Sequence, residues 1–243
     1  MIEQPLAVLP IGKPQAARIV IESHYLHRRP PMSHAFGLRK GSDLVGVVTF
    51  GTPASRQTQL SVAPTAPDLV TELNRLWVAD SEPRNTESWF VARALALLDP
   101  CIVVSYADTA HGHLGFIYRA LNFRYAGWSD MERKSPRFDY ETISGGHPRD
   151  AYRTGHTGVR IPRAPKVRYW TTTGTKRERK RLDSIVAWPS LDWKTLPPPT
   201  AGVRVSHQLD VICPAAIFGV LTYVCTCGHR SYTFHDWITH RLD

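Results

Sequence analysis

The sequence predicts an α/β fold with a mixed central sheet flanked by helices. Apolar runs of strand length alternate along the chain with stretches whose apolar residues recur at helical spacing. One run, Cys101–Ser105, is almost wholly apolar, as in a central strand covered on both faces. A predicted hairpin precedes this alternation, so we expect parallel and antiparallel strands in one sheet.

Proline, glycine and aspartate residues mark the boundaries of the first predicted helix and strands. Residues 1–13 are expected to form a loose lead-in, and a helix is predicted over Gln15–Tyr25, behind a proline. Two apolar runs, Ala35–Arg39 and Leu44–Phe50, flank a Gly-Ser-Asp turn and predict a β-hairpin. A proline-rich loop is expected between this hairpin and the strand that starts at Val70.

The central part of the chain predicts alternating strands and helices. In order, these are a strand over Val70–Asp80, a helix over Ser88–Leu98, a strand over Cys101–Tyr106, a helix over Gly115–Leu121 and a strand over Phe123–Trp128. The first of these helices carries a wide apolar stripe suited to lying on a sheet. A late strand is predicted over Lys166–Thr172, so the sheet gains a member from far along the chain.

We assign residues 1–200 to one main domain and 201–243 to a short carboxyl-terminal extension. The extension contains four side chains of the types that bind zinc, namely Cys225, Cys227, His235 and His240. Its Cys-x-Cys spacing is tighter than the usual zinc-finger pair. A small zinc-binding element and a packed or disordered extension without metal therefore both remain open.

Charge and hydropathy narrow the classes of partner. The 243-residue chain has a formal net charge of +9, which favours a polyanion such as nucleic acid or an anionic membrane surface. No apolar run approaches the roughly 20 residues that a membrane span requires. A secretory signal pattern is not visible at the amino terminus. We therefore expect a cytoplasmic protein that does not span a membrane.

Polar residues at the junctions of strands and helices are the candidate site. Asp108 follows a central strand, where ligand chemistry occurs in open α/β sheets, although an Asx-turn or helix cap is the alternative. Ser105 precedes it and is expected to line the same pocket, as is Tyr106. The start of the next helix upstream attracts anions through free N–H groups, and simple capping there is compatible with that role. The residues of this predicted anion site are Arg84, Asn85, Thr86 and Ser88.

A basic series near residue 170 predicts phosphate contacts flanked by stacking side chains. The cations are Lys166, Arg168, Lys176, Arg177, Arg179, Lys180 and Arg181. Tyr169 and Trp170 lie between them in the sequence and are the predicted stacking groups. The alternative is an ordinary solvated charged surface.

Several motifs in fixed order resemble one family. They are Glu72-Leu-Asn-Arg-Leu-Trp77, Pro83-Arg-Asn-Thr-Glu-Ser88, Ser105-Tyr-Ala-Asp108 and Ile117-Tyr-Arg-Ala-Leu-Asn-Phe123, with His24-Tyr25 upstream and Lys166-Val-Arg-Tyr-Trp-Thr-Thr-Thr-Gly174 downstream. Over roughly residues 14–195 the chain resembles the Mom family of phage DNA modification proteins. The resemblance implies a fold of the Gcn5-related N-acetyltransferase type. It also implies conversion of adenine in double-stranded DNA to N6-carbamoylmethyladenine, which shields phage DNA from host restriction.

The resemblance also implies roles for individual residues. His24, Tyr25, Asp108 and Tyr118 match the family's functional set. Tyr118 is then a general acid or positioning group, with a core tyrosine as the alternative. His24, Tyr25 and Asp108 offer a ligand set compatible with iron, a metal proposed for this family. Asp108 is alternatively the acceptor of the adenine amine proton.

One departure from ordinary acetyltransferases bears on the cofactor. Their pyrophosphate-binding turn is rich in glycine, whereas this chain has Pro83-Arg-Asn-Thr and no Gly-x-Gly. Use of acetyl-coenzyme A is therefore doubtful, and the sequence does not identify the group donor. An acetyl-coenzyme A-dependent N-acetyltransferase and a non-enzymatic DNA-binding protein are the competing hypotheses.

Overall fold

A mixed seven-stranded sheet forms the centre of the protein. The computed structural model describes residues 5–129, 138–140, 160–162, 164–195, 209–210, 223–225 and 230–231. The seven strands are β1 (Leu6–Pro10), β2 (His34–Lys40), β3 (Asp43–Gly51), β4 (Val70–Val78), β5 (Ile102–Asp108), β6 (Arg124–Trp128) and β9 (Lys166–Thr172). Their order across the sheet is β1-β2-β3-β4-β5-β9-β6, and only the β4–β5 pair is parallel.

Helices cover both faces of this sheet. They are α1 (Lys13–Ser23), α2 (Arg56–Val62), α3 (Thr86–Ala96), α4 (Phe116–Ala120) and α5 (Lys176–Asp183). The largest core cluster joins Phe90 of α3 to Phe50 and Tyr169 of the sheet. A second cluster includes Leu182 of α5 and Trp170. The predicted α/β fold with a mixed sheet flanked by helices is therefore confirmed.

Two expectations about the first seventy residues are wrong. The supposed lead-in contains β1, which pairs with β2 from Leu6↔Lys40 to Pro10↔Phe36. Because β1 is an edge strand, Pro10 at its end costs little ladder hydrogen bonding. The supposed proline-rich loop contains α2, whose first turn is capped by the Ser55 hydroxyl accepting from the Thr58 backbone N–H.

Later elements are also shifted from their predicted bounds. Asp108 is the last residue of β5 rather than part of the following loop. The basic run forms most of α5, which starts with a capping box between Thr175 and Glu178. The late strand over Lys166–Thr172 is confirmed at both ends, and it lies between β5 and β6 inside the sheet.

The parallel pair β4–β5 opens a gap in the sheet. The two strands are in register from Val70↔Ile102 to Glu72↔Val104, yet they continue to Val78 and Asp108 respectively. Each strand pairs elsewhere with an antiparallel neighbour, β4 with β3 and β5 with β9. The strands therefore separate beyond Glu72, and the space between them is available to a ligand.

The described residues also form two small sheets outside the central one. A two-stranded antiparallel sheet pairs β7 (Phe138–Tyr140) with β8 (Arg160–Pro162), and a three-stranded sheet joins β10 (Leu209–Asp210), β11 (Tyr223–Cys225) and β12 (Arg230–Ser231). The zinc prediction falls on Cys227, His235 and His240, which lie outside the described residues, and on Cys225, of which only the backbone is described. In the described ranges, no helix has both the length and the apolar character needed to cross a bilayer.

Candidate active site

A cleft of about 850 Å³ occupies the gap between β4 and β5. Its walls come from the end of α1, from β4, from the end of β5, from residues 112–118 and from β9. This volume is typical of pockets that bind small molecules and cofactors. The sheet topology therefore places the ligand-sized cavity where the strands separate, near the predicted site at the end of β5.

The structure brings the four predicted catalytic residues to this region. His24, Tyr25 and Tyr118 line the cleft. Asp108 is buried just behind it, and its Oδ2 lies 2.6 Å from Nζ of Lys166, which does line the cleft. Asp108 therefore holds the ammonium group of Lys166 at the cleft wall.

His24 and Tyr25 form an aromatic stack at the end of α1. Their ring centroids are 4.2 Å apart and nearly parallel, and Tyr25 also lies 4.3 Å from His111 and 5.2 Å from His113. The sequence interpretation did not include His111 and His113. The motif Asp108-Thr-Ala-His-Gly-His113 at a strand end was the signal that could have identified them.

These aromatic groups are held in their neutral forms. Burial, with the nearby Arg75 cation second, lowers the pKa of His24 to about 3. Partial burial also raises the pKa of Tyr25, and the Asp108 charge acts in the same direction. At neutral pH, His24 is therefore an uncharged imidazole and Tyr25 an uncharged phenol.

Tyr118 presents a neutral phenol to the cleft from α4. Its ring packs 5.2 Å from that of Tyr169 and 5.4 Å from that of Phe123. Burial raises the pKa of Tyr118, while a hydrogen bond with Ser105 opposes that rise. A protonated phenol is suited to donate a proton or a hydrogen bond. Tyr118 thus packs in the core and also lines the cleft, and its role as a general acid stays a prediction.

Glu72 is a site residue to which the sequence interpretation gave no role in catalysis. It lines the cleft, and burial raises its pKa to about 7, although the cations Arg75 and Lys166 act against that rise. A carboxyl group that titrates near neutral pH is suited to general-base catalysis. Buried position, rather than residue type, gives it this property, so the sequence alone contained no signal for it.

The arginine beside Glu72 carries a free hydrogen-bond donor. Among the described residues, Nε of Arg75 is buried and makes no hydrogen bond. Asn74, its neighbour, is held by the protein at both ends of its amide, since its Oδ1 accepts from Thr49 Oγ1 at 2.6 Å and its Nδ2 donates to the Pro31 carbonyl at 2.7 Å. Arg75 therefore contributes a cationic guanidinium group to the cleft wall, whereas the Asn74 amide is held by contacts within the protein.

The predicted anion site lies away from the cleft. None of its members, Arg84, Asn85, Thr86 and Ser88, belongs to the cleft lining. The Thr86 hydroxyl donates to the Pro83 carbonyl at 2.7 Å, and the Ser88 hydroxyl donates to the Asn85 carbonyl at 3.0 Å. Capping by the Asn85 or Thr86 side chain is wrong, because the N-cap of α3 makes no side-chain hydrogen bond. Anion binding at the backbone N–H groups stays a prediction.

Ser105 ties the two separating strands together. Its hydroxyl is almost fully buried and donates to the Leu73 carbonyl at 2.9 Å, across the β4–β5 boundary. It does not belong to the cleft lining, so the expectation that Ser105 lines the pocket is wrong. Tyr106, predicted to line the pocket, does so.

The cations of the basic series divide into two groups. Lys166 and Arg168 line the cleft from β9. The remaining cations are exposed on α5, namely Lys176, Arg177, Arg179, Lys180 and Arg181. The prediction that Tyr169 and Trp170 stack on bases is wrong, because β9 lies inside the sheet and both side chains are buried.

Hydrogen bonds hold those two aromatic side chains in the core. Tyr169 Oη donates to the Leu114 carbonyl at 2.6 Å, and Trp170 Nε1 donates to the Pro189 carbonyl at 2.9 Å. The aromatic rings that do line the cleft on this side are Tyr106 and Trp188, whose centroids are 6.2 Å apart in an edge-to-face arrangement. The guanidinium of Arg168 lies 5.0 Å from the Trp188 ring.

The donor set does not fit the iron ion that the resemblance implied. The ammonium of Lys166 already binds Asp108, and a cation at that carboxylate opposes a metal ion. His24 Nδ1 accepts from the Leu26 backbone N–H at 3.1 Å, and Tyr25 resists ionisation to a phenolate. Within the described ranges, no group of three His, Cys, Asp or Glu side chains is arranged for a metal. We derive no step through iron.

The fold and cleft define an α/β protein with a ligand cavity at a separated pair of parallel strands, lined by cations, neutral phenols and one titrating carboxyl group. Comparison with known proteins gives the family. Residues 5–181 match the Mom protein family, so the chain belongs to that family.

One curated relative and several solved structures are similar to the chain. Methylcarbamoylase mom of Escherichia phage Mu is 37% identical over 119 residues, which is 46% of this chain and 49% of that protein. The match therefore spans about half the length of this relative. A Staphylococcus aureus N-acetyltransferase matches with a TM-score of 0.42 and 12% identity, over 70% of this chain and 99% of its own. A Bacillus subtilis acetyltransferase in complex with CoA matches with a TM-score of 0.40 and 12% identity, over 70% and 100%. These two structural likenesses, with TM-scores below 0.5, carry no functional argument.

Proposed function

We propose that this protein is a transferase that converts adenine in double-stranded DNA to N6-carbamoylmethyladenine. Membership of the Mom family and the activity in the name of the phage Mu relative, a methylcarbamoylase, support the reaction class. The observation that carries the proposal is a cleft in which Glu72, with a pKa near 7, faces Arg75 and Lys166. Such a modification shields DNA from restriction, because adenine N6 lies in the major groove where sequence is read.

The size and lining of the cleft support binding of a base that has left the duplex. An adenine amine inside a stacked helix is not accessible, so enzymes of this kind extrude the base at a cost of a few kcal/mol. The rings of Tyr106 and Trp188 offer apolar surface to an extruded base. The nearby cations of β9, Lys166 and Arg168, offset the charge of the adjoining phosphates.

The chemistry requires a base beside the amine, because the adenine amine lone pair is delocalised into the ring. In the proposed step, N6 attacks the methylene carbon of a donor that carries a carbamoylmethyl group on a leaving group. The N6–carbon bond forms while the bond from carbon to the leaving group breaks. Glu72 accepts the proton that N6 loses, and Tyr118 gives a proton to the departing group.

Two further residues act by position and charge. The guanidinium group of Arg75, which lines the cleft, is suited to bind the carbonyl oxygen of the carbamoyl group. Asp108 holds Lys166 in the cleft wall through the 2.6 Å ion pair. We therefore assign to Glu72 the proton-accepting role that was one of two alternatives expected for Asp108, and we assign a positioning role to Asp108.

Nucleoside mass spectrometry of plasmid DNA from expressing cells tests the proposal. Wild type should yield a deoxyadenosine that carries one added carbamoylmethyl group, and Glu72→Gln and Tyr118→Phe should yield little or none. Glu22→Gln, which removes an exposed carboxylate of α1, is the matched control and should retain the product. Only ordinary deoxyadenosine from wild type, with soluble DNA-bound protein, would favour the non-enzymatic DNA-binding hypothesis. An acetylated product would favour the acetyltransferase hypothesis.

A further inference from the structure

An exposed aromatic side chain stands at the rim of the cleft. Phe116, the first residue of α4, is 64% exposed, the highest value for any large apolar side chain in the described part of the chain. It belongs to the cleft lining together with its neighbours Gly115 and Ile117. An exposed apolar ring at the rim of a binding cavity is available to contact the molecule that occupies the cavity.

The guanidinium group of Arg119 packs against the Phe116 ring. The guanidinium carbon of Arg119 lies 4.4 Å from the centre of the Phe116 ring and 4.2 Å from the centre of the Trp193 ring. Trp193 is itself 46% exposed. Arg119 therefore links two exposed aromatic rings and supplies a positive charge between them, a surface with affinity for both bases and phosphates.

The backbone that carries Phe116 is fixed to the core. Gly115 has φ +81, and a Cβ at this position would lie 2.3 Å from the buried Tyr169 ring. The same tyrosine donates its hydroxyl hydrogen to the Leu114 carbonyl at 2.6 Å. Only glycine allows this approach, so Phe116 projects from a rigid mount rather than from a loose loop.

Extrusion of a base leaves a gap in the duplex that a protein side chain commonly fills. DNA-bending and base-flipping proteins insert apolar wedges such as Phe, Leu or Met between base steps. Phe116 has the size, the exposure, the rigid support and the position beside the cleft that such a role requires. Tyr25, the other exposed aromatic residue of the lining, is engaged in ring contacts with His24, His111 and His113.

We propose that Phe116 is the wedge that enters duplex DNA and holds the base stack open while the adenine occupies the cleft, with Arg119 as its brace. This inference rests on the proposed function, since it assumes a duplex DNA substrate. The wedge fills the space left by the extruded base. It therefore stabilises the opened duplex rather than the initial contact with the phosphates.

Permanganate footprinting tests the wedge without a group donor or a known target sequence. Permanganate oxidises unstacked thymines, and a thymine opposite an extruded adenine is unstacked. Full-length wild type, bound to a mixed-sequence duplex, should enhance oxidation at discrete thymines. Phe116→Ala should reduce this enhancement at least about tenfold while its affinity for the duplex changes less than about threefold. Phe116→Leu should retain most of the enhancement. Leu97→Ala, which truncates a 51% exposed side chain after α3, is the matched control and should behave as wild type.

The outcomes separate this inference from the proposed function. Undiminished thymine oxidation with Phe116→Ala, or no enhancement with wild type, overturns the wedge. Modified deoxyadenosine in plasmid DNA from wild-type cells reports on the proposed function alone. If that product is present and Phe116→Ala produces as much of it as wild type, the proposed function is supported and the wedge role of Phe116 is refuted. If the amount of modified deoxyadenosine decreases with Phe116→Ala but is retained with Phe116→Leu, both the proposed function and the wedge role of Phe116 are supported.

Discussion

Asp108 and Lys166 are directly opposite each other on neighbouring antiparallel strands, and their side chains form an ion pair with 2.6 Å between Oδ2 and Nζ. The carboxylate is buried, whereas the lysine side chain is 34% exposed and reaches the cleft. Strand register therefore couples the end of β5 to the start of β9. As a result, the buried carboxylate of Asp108 holds the ammonium group of Lys166 in the cleft wall.

Disruption of this pair should lower both stability and activity. Asp108→Ala should reduce the free energy of unfolding by about 1–2 kcal/mol, a discounted figure because Lys166 is partly exposed to solvent. Lys166→Met should also abolish adenine modification. Urea denaturation of both single variants and the double variant measures their coupling. Strictly additive losses would contradict an energetic link between the two side chains.

Glu72 should make stability fall as pH rises. Its folded-state pKa of about 7 lies above the unfolded value of 4.5, so the folded state binds more protons between these values. The resulting stabilisation is present at low pH and is lost as pH rises through 7. Relative to Glu72→Gln, wild type should lose about 2 kcal/mol between pH 5 and pH 8. Urea denaturation at both pH values measures the difference, and parallel curves would refute the shift.

His24 should act in the opposite direction. Its folded-state pKa of about 3 lies below the unfolded value of 6.5, so its contribution is fully present above pH 6.5 and is lost as pH falls towards 3. Between pH 7.5 and pH 5, wild type should lose about 2 kcal/mol relative to His24→Gln. A ring-proton NMR titration provides the direct check. Signals of His24 that shift with a midpoint near pH 6.5 would be inconsistent with its burial.

The exposed cations of α5 should control the salt dependence of DNA binding. Replacement of Lys176, Arg177, Arg179, Lys180 and Arg181 by Gln should weaken duplex binding. It should also flatten the plot of log affinity against log salt by about 0.9 for each phosphate that the variant no longer neutralises. Fluorescence anisotropy over a range of salt concentrations measures this slope. Lys13→Gln with Arg18→Gln, exposed on α1, is the control pair. An unchanged slope in the α5 variant would remove that helix from the DNA interface.

Trp170 should behave as a core residue. Trp170→Leu removes packing in the second core cluster and the hydrogen bond to the Pro189 carbonyl, so it should destabilise the protein by about 2–4 kcal/mol. Affinity of the folded variant for duplex DNA should stay within about twofold of wild type. Thermal denaturation and anisotropy report the two quantities. Large loss of affinity with unchanged stability would restore the stacking interpretation.

The amino-acid sequence by itself determined the class of fold, the central strand and helix order, and the family. Apolar periodicity is a local property, so β4, α3, β5 and β9 were predictable within a few residues. It failed where local signals were weak: β1 is stabilised by pairing with β2, and α2 depends on a Ser55 cap inside a proline-rich segment. Residue type and order also identified His24, Tyr25, Asp108 and Tyr118 as candidates.

Only the tertiary structure decided what these residues can do. Burial depends on contacts between distant parts of the chain. The structure shows that Tyr169 and Trp170 lie in the core and not on the DNA-binding surface that the sequence predicted. Burial also raised the pKa of Glu72 in the cleft. The separation of β4 from β5 formed that cleft, and the pairing of β5 with β9 joined Asp108 to Lys166. Electrostatics and access are set by three-dimensional neighbours, which no local pattern in a single sequence specifies.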